Sequence, residues 1–202
     1  MTGKQTARDA GNASGATQIY RLHVELQYIA PPIWRRLRVP SSIPLARLHQ
    51  VLQITMGWTN SHLHQFDIGG TRYGVPDQEW PELGFIDERS VTLAGALGEA
   101  TTAFSYTYDF GDDWQHAIRV EAAVPADDAS PQVLCLAGAN ACPPEDVGGP
   151  PGYLVFMHAI TDPSHSDHAE MLSWCGGAFD PRGFDLNAVN AKLRKLKIPS
   201  RR

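Results

Sequence analysis

Residues 18–29 alternate between apolar and polar side chains, Ala30-Pro31-Pro32 breaks the run, and residues 33–39 alternate again. In the first run Tyr20, Leu22, Val24, Leu26 and Tyr28 share one phase, and Arg21, His23, Glu25 and Gln27 the other. A period of two marks a strand with one buried face. The second run sets Ile33, Leu37 and Val39 against Trp34, Arg36 and Arg38. The pattern predicts two antiparallel strands with a common apolar face, which a second layer must cover.

The rest of the chain supplies that layer. Pro44 to Met56 reads as a helix, with Leu45, Leu48, Leu52 and Met56 on one stripe and Gly57 as its stop. Residues 62–68 and 71–74 predict a hairpin across Gly69-Gly70. Residues 75–90, with Pro76, Pro81 and several acids, read as an irregular surface loop. Strands are predicted at 102–110, 113–124 and 132–136, and helices at about 151–161, 165–174 and 185–197. Asp185 caps the last helix. The expected fold class is α+β: a single domain, mainly an antiparallel sheet covered by helices, with a helix-rich C-terminal third. The polar residues 1–17 read as a disordered tail, 18–197 as the domain and 198–202 as a basic tail.

Charge narrows the partners. Six cations and no acid fall between Lys192 and Arg202, and removing them from the net charge of −5 leaves −11 on the rest. Such a body repels phosphate backbones, so any nucleic-acid contact must be local, at the basic end or at Trp34, Arg35, Arg36 and Arg38. Cys135, Cys142 and Cys175 cannot all pair within the chain. The N-terminal segment carries no apolar run, and no stretch approaches the ~18 apolar residues of a membrane helix. The expectation is a cytoplasmic protein with reduced thiols, no membrane partner and an oligomeric state left open.

PPIWRRLRVP, LHQVLQITMGW followed by HLHQF, YTYDFGDDWQH, CLAGANACPPEDVGGPPGY and WCGGAFDPRGFDLNAVNAKL occur in this order. Together they resemble the plasmid ORF-three-like family, named after a reading frame on an agrobacterial root-inducing plasmid, over residues 18–196. The resemblance implies an α+β fold and carriage on plasmids and other mobile elements, where some members are labelled transposon passenger or resolvase proteins. It brings no catalytic residues to transfer. A resolvase serine set among arginines is absent from the N-terminal segment, and the only lysines are Lys4, Lys192, Lys195 and Lys197, so no serine–lysine dyad is available in the body.

Three groups carry candidate chemistry. Asp109, Asp112, Asp113 and His116 crowd around Gly111. Turn chemistry accounts for Gly111, through a positive φ, and for one or two aspartates. Asp109 falls on the polar face of its strand, whereas His116 shares a face with Trp114 and Ile118 and needs a partner there. His62 and His64 share a face if both lie on a strand, within reach of His49, and such a pair suits a transition metal. Cys142, Glu145 and Asp146 sit on a loop stiffened by Pro143 and Pro144, where the paired glycines Gly148 and Gly149 allow close backbone approach. The leading expectation is a non-enzymatic binding or accessory module with a protein partner. The alternatives are a divalent-metal hydrolase or metalloprotein built on the Asp/His/Glu residues, and a DNA-binding regulator.

Overall fold

β1 (Gln18–Leu26) and β2 (Ile33–Pro40) pair antiparallel, with Leu26 opposite Ile33 and Ile19 opposite Pro40. Their apolar phases face one way, and Leu22, Val24, Leu26, Ile33, Leu37 and Val39 are all buried. β1 also pairs with β7 (Trp114–Pro125), and the register slips between Arg21 and Leu22, where Glu121 is the extra residue. A bulge re-aims the side chains around it; past this one Ile19, not Tyr20, is the buried residue.

The computed structural model describes residues 18–76, 84–126 and 133–197. The expected tails, 1–17 and 198–202, lie outside the described residues. The hairpin of β3 (His64–Ile68) and β4 (Thr71–Gly74) turns at Gly69 and Gly70, as their spacing predicts. With β5 (Ile86–Asp87), β6 (Ala103–Tyr108) and β8 (Leu134–Ala139), the strands form one sheet in the order β5-β4-β3-β6-β7-β1-β2-β8. Every pairing is antiparallel except β4 with β5. The segment 75–90 is therefore not simply irregular: it adds an edge strand and buries Glu88.

Helix α1 (Leu45–Met56) lays Leu45, Leu48, Val51, Leu52 and Met56 into the core that the sheet's apolar face begins. Each such buried side chain contributes ~1.5–3 kcal/mol of transfer free energy. Gly57, at φ 100, ends the helix in the left-handed conformation and donates its N–H to the Gln53 carbonyl at 2.8 Å. The short α2 (Leu93–Leu97), capped by Thr92, has no expectation in the sequence reading. α3 (Gly149–Thr161), α4 (His168–Trp174) and α5 (Leu186–Leu193) fill the C-terminal third, with starts one to three residues from those predicted and α5 ending at Leu193 rather than 197. The opposite phase of the sheet, with Arg21, Glu25, Arg36, Asp67, Ser105 and Arg119, stays accessible. The fold is thus α+β, a sheet buried on one face and wet on the other. At its far edge Asn190 of α5 accepts the Cys135 N–H and donates to the Cys135 carbonyl, both at 2.9 Å.

Candidate metal centre

The turn between β6 and β7 is built by aspartates. Asp109 and Asp113 take the left-handed conformation, at φ 57 and φ 52, whereas Gly111, expected to supply the positive φ, does not. Aspartate tolerates that region because its short carboxylate bonds locally. Here Asp109 Oδ1 accepts from the amides of Gly111 at 2.9 Å and Asp112 at 3.3 Å. The left-handed twist also swings the Asp109 side chain off the polar face where the strand's period placed it, and it is buried. Its second oxygen, Oδ2, is left facing His62 at 3.5 Å. Asp113 remains an element of the turn, its Oδ2 accepting from the Gln115 amide at 2.7 Å.

The proline- and glycine-rich loop docks against this turn. Gly149, at φ 66, lies so close to the Asp112 carbonyl oxygen that any Cβ would collide with it. Asp112 Oδ2 accepts the Gly148 N–H at 3.1 Å, and Trp58 Nε1 donates to the Pro143 carbonyl at 3.1 Å. Glu145 is thereby brought back to the chain that leaves α1. Its Oε1 accepts from the Thr59 N–H at 2.6 Å, the Thr59 hydroxyl at 2.9 Å and the Tyr108 hydroxyl at 3.1 Å. Burial, ahead of the adjacent Glu145 charge, pushes the Tyr108 phenol up to about 12, so it stays neutral and donates.

His62 lies just before β3, not on it, and its ring enters the space between turn and loop. Nε2 is 2.9 Å from Asp146 Oδ1, 3.5 Å from Asp109 Oδ2 and 3.9 Å from Glu145 Oε2. By distance these are ion pairs, yet Nε2 is a buried atom with no hydrogen bond, so the carboxylate oxygens lie off the N–H direction. Ligand atoms of His62, Asp109 and Asp146 all fall within 4.8 Å of one another. Donors ~2.0–2.2 Å from a shared cation stand about 3.0–3.5 Å apart, so these separations approximate the edges of a coordination polyhedron.

His64, expected beside His62, faces elsewhere. Its Nε2 donates to Glu88 Oε2 at 2.8 Å, and its ring stacks on His49 at 3.4 Å between centroids, 5° from parallel. Burial, reinforced by His64, lowers the His49 pKa to about 3, so that ring is neutral. The assignment that then satisfies every partner is a closed circuit. Gln53 Nε2 donates to the Tyr106 hydroxyl at 3.1 Å, which donates to His49 Nδ1 at 2.8 Å. His49 Nε2 donates to Asn60 Oδ1 at 2.6 Å, and the Asn60 N–H returns to Gln53 Oε1 at 2.9 Å. Together His49, Asn60, His62, His64, Glu88 and Arg89 line a cavity of about 330 Å³. His62 therefore also opens onto this pocket, which Leu63, Val75 and Phe85 line as well.

The remaining candidates do not join the cluster. His116 is fully buried, donates from Nδ1 to the Tyr106 carbonyl at 3.1 Å and packs edge-on to Trp58. Burial lowers its pKa to about 4, outweighing the backbone contacts that favour the charged form. Cys142 is half-buried, and its surroundings push the thiol pKa far above the ordinary range. Arg35 cannot meet nucleic acid, because it follows the buried phase of β2 and only 1% of it is exposed. Trp34, Arg36 and Arg38 do sit on the open face, but the Arg36 guanidinium is engaged by both Glu121 oxygens at 2.8 and 2.9 Å. Glu88, Thr59 and Tyr108 are site residues that motif reading misses. Only the phase of Tyr108, shared with Phe104 and Tyr106, marks it as inward.

The chain belongs to the plasmid pRiA4b ORF-3-like protein family, whose pattern matches residues 18–188. It is 45% identical over 180 residues to the uncharacterized protein y4hQ of Sinorhizobium fredii (strain NBRC 101917 / NGR234), covering 88% of this chain and 92% of that one. It is also similar to the crystal structure of MM3350, a protein of unknown function from Methanosarcina mazei Go1. The TM-score is 0.78 and the identity 31%, covering 86% of this chain and 98% of that one. No helix of the described residues is long and apolar enough to cross a membrane.

Proposed function

We propose that the protein binds a divalent transition-metal cation through His62, Asp109 and Asp146, with Glu145 at the rim, and acts as a metal-dependent hydrolase or metalloprotein on a ligand held in the adjoining cavity. The observation that carries this reading is the buried His62 Nε2, which lacks a hydrogen bond while carboxylate oxygens stand at ligand-edge distances. One imidazole with carboxylates suits zinc, manganese or iron. A cation held there would supply Lewis acidity to a bound water or to a ligand oxygen. The protein's part is to fix the donors: Asp109 through its turn amides, Glu145 through Thr59 and Tyr108, and the loop through Asp112 and Gly149.

The test is metal content after dialysis against trace zinc or manganese, with thermal melting in parallel. The expected result is about one ion per chain and a rise in melting temperature that His62→Ala and Asp109→Asn both abolish. At a concentration a hundredfold above Kd the stabilisation is ~2.7 kcal/mol. Sub-stoichiometric metal with unchanged melting would overturn the reading. A second reading, the accessory binding module, draws on the open sheet face, where Arg21, Arg36, Arg119 and Glu121 line a broad hollow. Recovery of a stoichiometric partner whose capture is lost in Arg36→Glu would favour it.

A further inference from the structure

Three proline-bearing stretches that the metal centre does not use converge elsewhere. Ala30-Pro31 of the break after β1, the Pro150-Pro151 start of α3 and Pro181-Arg182 line one cavity of about 760 Å³. That size lies within the range of ~300–1,000 Å³ of small-molecule sites. The walls are apolar and stiff. Tyr28, Leu154 and Met157 face it together with the prolines, and no Asp or Glu is among the lining residues. Tyr28 is 75% exposed and Leu154 58%.

The pocket is also held in shape from beneath. Tyr28, at φ 64, occupies a region that bulky residues seldom adopt. Asn140, at φ 65, donates from Nδ2 to the Pro32 carbonyl at 2.7 Å, and its own carbonyl accepts from buried Arg35 at 2.9 Å. A wall of prolines pinned by such bonds loses little entropy when a ligand enters.

Charge selects the occupant. Arg182 is the one cation of the lining, and among the described residues its guanidinium makes no hydrogen bond or ion pair. In a chain of net charge −5, an acid-free apolar pocket with an unengaged arginine at its rim is complementary to an apolar anion. We propose that this cavity binds a small amphipathic carboxylate, its apolar body against Tyr28, Leu154 and Met157 and its carboxylate on Arg182. The site shares no residue with the metal centre and stands independently of it.

The experiment uses the whole chain and the fluorescent aromatic sulfonate 8-anilinonaphthalene-1-sulfonate as probe, displaced by decanoate or by neutral decanol. Saturable probe binding is expected, with decanoate displacing about tenfold better than decanol, the scale of one charge-assisted hydrogen bond. Arg182→Ala should erase that preference and leave decanol unchanged, while Met157→Trp should weaken both by filling the cavity. Circular dichroism melts establish that each variant is folded. Non-saturable binding, or a decanoate preference that survives Arg182→Ala, overturns the proposal. So does concentration-dependent self-association that Leu154→Glu abolishes, because the occupant would then be a second copy of this chain.

Discussion

Arg35 donates to the carbonyl oxygens of Thr55, Trp34, Ala139 and Asn140 and lies 4.2 Å over the Phe184 ring. No carboxylate is among these partners; the guanidinium is solvated by peptide groups of α1, β2 and the end of β8. Desolvation lowers its pKa from the ordinary arginine value. Arg35→Met would leave those carbonyls buried without donors, so a loss of ~3–5 kcal/mol in urea unfolding is expected. Arg36→Met, on the wet face, should shift the unfolding midpoint far less. Residue type alone marks Arg35 as a surface cation, but its phase, shared with Ile33 and Leu37, marks it as interior. Phase prevails because a long planar donor can satisfy itself on backbone. His62 and His64 show the opposite limit: their spacing reads as a pair, and one residue of strand boundary separates them.

At the level of elements, the proposed metal centre depends on one docking event, the loop 142–149 against the turn 109–113. Gly149→Ala puts a Cβ into the Asp112 carbonyl at a backbone conformation that disfavours it. A destabilisation of ~1–3 kcal/mol is expected, together with weaker binding of zinc or manganese in the same titration that tests His62. Gly70→Ala, with open space around its Cβ, should lower stability while leaving the metal titration unchanged. The hairpins, α1 and its glycine stop are legible in the sequence because period and turn chemistry are local. The convergence of Asp109, Glu145 and Asp146 on His62 is not, because residues far apart in the chain meet through backbone contacts that leave no periodic trace. Glu88 is hidden for the same reason, since an acid among prolines and other acids carries no sign that it will lie under His64.

For the molecule as a whole, two buried neutral imidazoles set the response to acid. The His49 pKa is lowered to about 3 by burial and by stacked His64, with Glu88 beyond it, and His116 to about 4 by burial, with Arg35 the nearby cation. Both are ordinary, near 6.5, once the chain unfolds. Between pH 6.5 and 4 the unfolded state therefore binds more protons, and stability rises with pH through that window. Stability is fully present above about pH 6.5 and is lost as pH falls, at up to ~1.4 kcal/mol per pH unit for each group. Melting temperature should fall steadily from pH 6.5 to 4, and His116→Phe should flatten the slope although it lowers stability at neutral pH.

The bond pair between Asn190 and the Cys135 peptide has a consequence at this same scale. A carboxamide that both accepts from an N–H and donates to a carbonyl imitates the peptide group of another strand, so the sheet meets a side chain where a neighbouring chain would dock. At the other end β5 is only two residues long, too short a template for a strand to lengthen on. Backbone pairing with another chain is therefore blocked at Cys135 and finds only two residues to extend at β5.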